Sequence, residues 1–113
     1  MKYALLIYVN PDGPWNELSD DEKSAITQEY YAIAQEPGTL GGEQLEDSHT
    51  ATVVRVPNGK VLTTDGPFTD TKEVLGGFYL YEADNLDKAL KVASRIPAAR
   101  MGGAVEVRPL VEM

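Results

Sequence analysis

A polar segment between two predicted strands has the residue types of acid–base chemistry. Asp65 ends one strand, and Lys72 with Glu73 begins the next, beyond the turn at residues 66–68. A hairpin needs only about two to five loop residues, so the turn alone does not account for the segment. Two carboxylates beside an ammonium group can differ in pKa and act as general acid and base. We therefore take Asp65 and Lys72 as catalytic candidates, and Phe68 and Glu73 as substrate-binding candidates.

A purely structural interpretation of the same segment stays open. Asp65 can accept hydrogen bonds from the backbone ahead of it, Gly66 permits a positive φ, and Pro67 fixes the next φ, so the tetrapeptide makes a good turn. Phe68 would then tuck inward and anchor the loop. Charged groups on a loop usually form surface ion pairs of small energy. This interpretation does not explain why residues 69–73 hold two hydroxyls, two acids and a base.

Four further side chains are candidates for the site. His49, the one histidine, lies in the acidic stretch "EDSHT" and would gain basicity beside Asp65; the alternative is an exposed loop residue. Arg100 can bind a carboxylate through two parallel hydrogen bonds, or it can pair at a helix end or across a subunit contact. Tyr8 and Tyr30 can line a pocket with hydroxyls, or reach surface partners from the core.

Composition argues against several classes of partner and cofactor. The ten basic residues are scattered against 18 acidic ones, for a net charge of −8, which would repel a phosphate backbone, so we expect no nucleic acid. With no cysteine and one histidine we expect no metal, and without a dinucleotide fingerprint, Walker loop or nucleophile elbow we expect no cofactor. The apolar run at residues 3–9 is too short to cross a membrane, and we expect a cytoplasmic protein.

The length of 113 residues predicts one domain spanning residues 1–113. A capping box, Ser19 with Glu22, starts a helix that ends before Pro37. A second helix follows Asn85 and ends before Pro97, with an apolar stripe of five residues: Leu86, Ala89, Leu90, Ala93 and Ile96.

Six strands are predicted around these helices, at residues 3–9, 40–45, 50–56, 60–64, 74–81 and 104–108. The first is apolar at odd and even positions, which predicts a place in the sheet interior. Gly76 and Gly77 predict a bulge or a close backbone approach in the fifth. The order predicts an α+β fold, a ferredoxin-like sandwich with an additional hairpin.

Both helices should cover the same face of the sheet, because each connects strands that belong to it. The other face is then left bare, with apolar side chains from the first and fifth strands. Large exposed apolar patches mark contacts with partners. We therefore predict a homodimer packed sheet to sheet, with room for a cavity between the sheets.

Three stretches of the chain resemble the YCII-related family, in its branch named for the DGPF tetrapeptide. They are "MKYALLIY", "TDGPFTDTKEVLGGFYLYEADNLDKAL" and "PAARMGGAVEVRPL". The resemblance implies a dimeric α+β barrel. Relatives in the wider superfamily are proposed to be small-molecule enzymes because they contain a histidine and aspartate pair. Asp65 matches the motif aspartate, whereas the first helix carries Tyr30 and Tyr31 and no histidine.

Two functions from different classes follow from these observations. The first is a homodimer that binds a small organic molecule and acts as a cofactor-independent enzyme, with acid–base chemistry at residues 65–73. The alternative is a non-catalytic regulatory or assembly module, of the kind associated with sigma factors, in which the DGPF loop is structural.

Overall fold

The computed structural model describes residues 1–68 and 71–112. Thr69 and Asp70 of the polar segment lie outside the described residues. The described part contains two α-helices, α1 (Asp20–Ala34) and α2 (Leu86–Ser94). Its strands are β1 (Lys2–Val9), β2 (Thr39–Gln44), β3 (Thr52–Arg55), β4 (Leu62–Asp65), β5 (Val74–Glu82) and β6 (Ala104–Pro109). Among the described residues, no helix has both the length and the apolar composition needed to span a bilayer.

Four strands form one antiparallel sheet in the order β2-β5-β1-β6, while β3 and β4 pair separately as a hairpin. β1 therefore lies in the sheet interior, as predicted. Without the hairpin, the element order is β-α-β-β-α-β, the order expected of a ferredoxin-like domain. The α+β class and the additional hairpin are both confirmed.

One face of the sheet is buried under the helices. Successive side chains of a strand point to opposite faces, and in β1 the buried ones are Tyr3, Leu5 and Ile7. The register places Tyr81 opposite Tyr3 and Tyr79 opposite Leu5, so these residues share that face. The helices complete this core with four buried residues, Ile33 of α1 and Ala89, Val92 and Ala93 of α2.

The opposite face is not covered by any element of the chain that the structure describes. Its apolar side chains are only half-buried by their neighbours within the sheet, and Leu75 is 40% exposed. Apolar residues on both sides of β1 thus do not imply two-sided burial within one chain. We call this surface the open face; it is formed by Ala4, Leu6, Tyr8, Leu75, Phe78 and Leu80.

Local sequence signals predict both helices, but the buried face predicted for α2 is wrong at two positions. The capping box is present: Ser19 Oγ accepts from the Glu22 amide at 3.2 Å, and the Ser19 amide donates to Glu22 Oε1 at 3.1 Å. The predicted stripe of α2 is wrong at Leu86 and Leu90, which are exposed. Val92 is buried instead: Ala89, Val92, Ala93 and Ile96 form one face, and α2 docks with that face against the sheet rather than with the face through Leu86 and Leu90.

The β3–β4 hairpin extends away from the body of the domain. Both strands are exposed throughout except at half-buried Val53, and the connecting turn lies at Pro57–Gly59, as predicted. The Cα radius of gyration is 15.9 Å, whereas a compact chain of this length would have about 13 Å. We call residues 52–65 the arm. Its extension explains the broad, thin shape of the chain, 45 × 43 × 18 Å.

Candidate functional site

A cleft of about 760 Å³ lies between α1 and the helix-facing side of β2 and β5. Its volume is within the range of small-molecule sites, roughly 300–1,000 Å³. Aromatic side chains from Trp15, Tyr30 and Tyr31 line it on the helix side. Polar groups come from the loop after β1, from Thr27 of α1 and from residues 43–48. The cleft therefore combines an aromatic wall with a polar rim.

Glycines beside the cleft allow the backbones of β2 and β5 to approach closely. Gly42 lies opposite Tyr79, and Gly77 lies opposite Ile7, so both are on the face that α1 covers. A Cβ on Gly77 would lie 2.8 Å from the carbonyl oxygen of Glu43, which confirms the close backbone approach predicted at the Gly76-Gly77 pair. The bulge predicted near the Gly76-Gly77 pair is also present, between Ile7 and Tyr8 of the paired strand.

Tyr79 connects the floor of the cleft to the helix above it. Its hydroxyl donates to the main-chain carbonyl of Tyr30 at 2.7 Å. Burial raises the pKa of Tyr79 to about 12, and burial also raises the pKa of Tyr30. Of the side chains proposed for the site from the sequence, Tyr30 is the one that lines this cleft.

A histidine–carboxylate pair lies at the rim of the cleft. His49 Nδ1 is 2.9 Å from Asp47 Oδ1, and the backbone amide of His49 donates to the same oxygen at 2.9 Å. These two hydrogen bonds, the backbone one first, lower the pKa of the Asp47 carboxyl. Asp47 and Ser48 line the cleft, while both members of the pair remain exposed. The ring of His49 thus pairs with Asp47, not with the Asp65 considered from the sequence.

Sequence reasoning missed Asp47, although a signal was present. The spacing Asp-x-His in "EDSHT" lets one carboxylate accept from the backbone amide two residues later, as Asp47 does at the start of the turn Ser48–Thr50. That turn brings the ring to the same carboxylate.

Asp65 is exposed at the base of the arm, beside the segment that carries His49. It pairs with Thr52 across the hairpin, and the next amide, of Gly66, donates to the carbonyl of Ala51 at 2.8 Å. Residues 47–51 therefore connect the rim of the cleft to the DGPF turn. Asp65 itself does not line the cleft.

The other charged and aromatic residues of the polar segment that the structure describes, Phe68, Lys72 and Glu73, are exposed. Phe68 is 68% exposed, so the inward anchor expected of the turn interpretation is wrong. Its ring lies 5.0 Å from the guanidinium of Arg55, and this cation–π contact holds it on the arm. Lys72 and Glu73 are exposed, and the Thr71 hydroxyl donates to the Glu73 carbonyl at 2.6 Å.

Tyr8 and Arg100 lie away from the cleft. The Tyr8 hydroxyl is on the open face, 3.4 Å from Glu106 Oε1. Arg100 Nη2 donates to Glu29 Oε2 at 2.6 Å and borders a smaller cavity of about 330 Å³ beside α1. Arg100 is thus engaged in an ion pair within the chain.

The lining of the cleft sets its electrostatic character. The charged residues that line it in the described part of the chain are acids, Glu43, Glu46 and Asp47. The register puts the Glu43 side chain on the open face, opposite Phe78, so Glu46 and Asp47 set the charge of the cleft. Across residues 1–68 and 71–112, no three His, Asp or Glu side chains come close enough together to hold a metal ion. The chemistry that these groups can support is proton transfer at the rim, next to a space with aromatic walls.

Comparison with known proteins identifies relatives of the whole chain. A model of the YCII-related domain matches residues 1–113. Among curated proteins, "Uncharacterized protein R00369" of Rhizobium meliloti (strain 1021) is 36% identical over 115 residues, an alignment that covers 97% of this chain and 92% of that protein. The similarity thus extends over nearly the full length of both chains.

Proposed function

The chain belongs to the YCII-related family, and from this premise we propose that it is a homodimer that binds a small organic molecule in the cleft between α1 and the sheet. One observation carries the proposal: the cleft of about 760 Å³ has an oriented histidine–carboxylate pair at its rim. Pockets of this size with a few convergent polar groups are the usual sites of small ligands.

Aromatic groups supply the binding surface for such a ligand. Tyr31 is 66% exposed and Trp15 is 39% exposed, although both are large and apolar, and both line the cleft. Planar or apolar ligands gain by covering such rings. Asn10, Asn16 and Thr27 add polar side chains to the lining. Each is held by a hydrogen bond within the chain: Asn10 Oδ1 accepts from the Asp12 amide, Asn16 Nδ2 donates to the Pro11 carbonyl and the Thr27 hydroxyl donates to the Lys23 carbonyl.

Acid–base chemistry is assigned to the rim. Asp47 holds the ring of His49 in one orientation, as the carboxylate partner of a general base does. Asp65, at the start of the DGPF turn that adjoins this segment, and Lys72, four residues beyond that turn, are the second acid–base groups of the proposal. Proton shuttling between two positions of the ligand, an isomerisation, requires no cofactor.

The dimer is proposed to form through the open face. That face presents apolar side chains from the two central strands and lacks a cover in the described chain. Two sheets that pack face to face lie about 10 Å apart and exclude water from such side chains. A sheet-to-sheet pair would form the dimeric α+β barrel, and the Tyr8 hydroxyl would then lie at the contact.

The alternative function, a non-catalytic regulatory or assembly module, is supported by the contacts of the DGPF turn. The Gly66 amide closes the base of the arm on Ala51, and Phe68 covers Arg55. In that case the motif stabilises the arm, and Asp65 has a structural role in the turn and does not bind a ligand.

A thermal-shift screen against a metabolite library tests the first function. A ligand at a hundred times its Kd stabilises the protein by about 2.7 kcal/mol, which gives a clear shift. Thr27→Phe places a ring into the cleft from an exposed position of α1, and Gln28→Phe makes the same change at a neighbouring exposed position outside the lining. We expect Thr27→Phe to abolish the shift and Gln28→Phe to keep it. A shift that survives both changes would place the ligand elsewhere and refute the cleft as the site.

Two further variants separate chemistry from architecture. Asp65→Asn and His49→Gln keep the size of each side chain, and both positions are exposed, so folding should be unchanged. Under the first function they weaken the response to the ligand or its turnover. If Asp65→Asn loses folding instead, the residue belongs to the architecture of the turn, as the alternative function requires.

A further inference from the structure

The arm has apolar side chains that no other part of the described chain covers. Val54 is 60% exposed, and beyond the paired strand residues Val56 is 56% and Val61 is 65% exposed. An isolated two-stranded hairpin is at best marginally stable in water, and its free edges attract other strands. A hairpin that is held in this extended form therefore needs a covering surface.

The two faces of the arm differ in how they are covered. Arg55 and Leu62 are paired and share one face, on which the Phe68 ring lies 5.0 Å from the Arg55 guanidinium. Val54 is paired with Thr63 on the other face. The Val54 face is thus the one available for a partner.

Charge indicates which partner suits the arm. The whole chain has a net charge of −8, yet residues 52–65 hold two basic groups, Arg55 and Lys60, and one acidic group, Asp65. The arm is therefore net positive and would be attracted to an acidic surface. A second copy of this chain is such a surface, and its open face offers the matching apolar area.

The open face has the residue distribution of a protein contact. Edge strands of the sheet place charged groups, Glu43 and Glu106, around an apolar centre. This pattern of apolar core and polar rim is that of a specific protein contact.

We infer that the arm is a dimerisation element, whose Val54 face packs against a second copy of the chain and continues the contact made by the open face. The inference rests on the proposed sheet-to-sheet dimer and adds that the arm of each chain packs against the other chain. In such a two-fold contact both arms are used in the same way.

Sedimentation velocity across a concentration series tests the arm with three variants. Val54→Lys charges the arm, Leu75→Lys charges the open face, and Leu90→Lys charges an exposed leucine of α2 on the helix layer. We expect a dimer for the parent chain, a dissociation constant raised at least tenfold by Val54→Lys and by Leu75→Lys, and a change of less than twofold for Leu90→Lys.

Hydrogen exchange gives a second readout on the unmodified chain. Amides of residues 52–65 should exchange more slowly when the concentration is raised from below to above the dissociation constant. If Val54→Lys dimerises like the parent chain and the arm exchanges equally fast at both concentrations, the arm inference is overturned. Should Leu75→Lys alone be monomeric, the sheet-to-sheet dimer stands without the arm. A parent chain that stays monomeric at about 100 µM, near the upper range of such assays, overturns the arm inference and the sheet-to-sheet dimer together.

Discussion

Replacing Tyr79 by phenylalanine should have opposite effects on stability at neutral and at high pH. The hydroxyl of Tyr79, a side chain only 8% exposed, donates to the Tyr30 carbonyl at 2.7 Å and joins β5 to α1. Loss of one such hydrogen bond costs about 1 kcal/mol. At pH 8, where the phenol is protonated in the folded and unfolded chains, Tyr79→Phe should therefore be less stable than the parent by about that amount.

The raised pKa reverses this order as the pH increases. Burial raises the pKa of Tyr79 from 10.0 in the unfolded chain to about 12 in the folded one. The unfolded chain loses its proton first, so the parent's stability is complete below pH 10 and is lost as the pH rises through 12. Two pKa units correspond to about 2.7 kcal/mol, half of which is lost by about pH 11. The two chains should then be about equally stable near pH 11, and Tyr79→Phe the more stable above it.

Urea unfolding at a fixed protein concentration, followed by circular dichroism between pH 8 and pH 12, measures the difference. Tyr31→Phe is the matched control, because Tyr31 is 66% exposed and its removal should not change the pH dependence. The lysines and the tyrosines that all three chains share titrate in each of them, so the comparison isolates Tyr79 together with its electrostatic coupling to Tyr30. A stability difference between Tyr79→Phe and the parent that stays constant across this range would refute the assigned role of the Tyr79 hydroxyl.

Two other substitutions test the helix cap and the core. Ser19→Ala removes the acceptor for the Glu22 amide and should cost about 1 kcal/mol in urea unfolding, whereas Ser24→Ala, at an exposed interior position of α1, should cost nothing; equal effects would contradict the capping role. Leu5→Ala empties a fully buried position and should cost about 2–5 kcal/mol, while Leu90→Ala, at 45% exposure, should stay within about 0.5 kcal/mol; a small loss at Leu5 would contradict the assigned core.

Elements that depend on neighbouring residues could be predicted from the sequence. The capping box at Ser19 requires only two side chains three residues apart, and the Pro57–Gly59 turn requires only residues tolerant of a positive φ. In β6, Val105 and Val107 pack against the core, and they alternate with charged residues as a strand with one buried face does. In each case the signal and the structure that it specifies lie within a few residues of each other.

Features that depend on the docking of distant elements could not be predicted in this way. The rotation of α2 decides whether Leu90 or Val92 is buried, and that rotation is set by contact with the sheet rather than by the helix itself. The cleft lies where α1 passes over β2 and β5, and nothing in the sequence of these strands shows which element lies above them. The pairing of His49 with Asp47 was local, but it competed with an equally reasonable partner in Asp65.

The polar segment contains more polar residues than a hairpin needs because this part of the chain does not contribute to the core. Between the end of β2 and the start of β5, none of the described residues is buried, so packing places few demands on their identity. Charged and hydroxyl groups cost little there, and a rigid sheet holds both ends of the segment. Binding and catalytic groups concentrate on such loops for the same reason. The rim at Asp47, the arm and the DGPF turn all belong to this one insertion, which is why the acid–base groups of the proposed function lie in it.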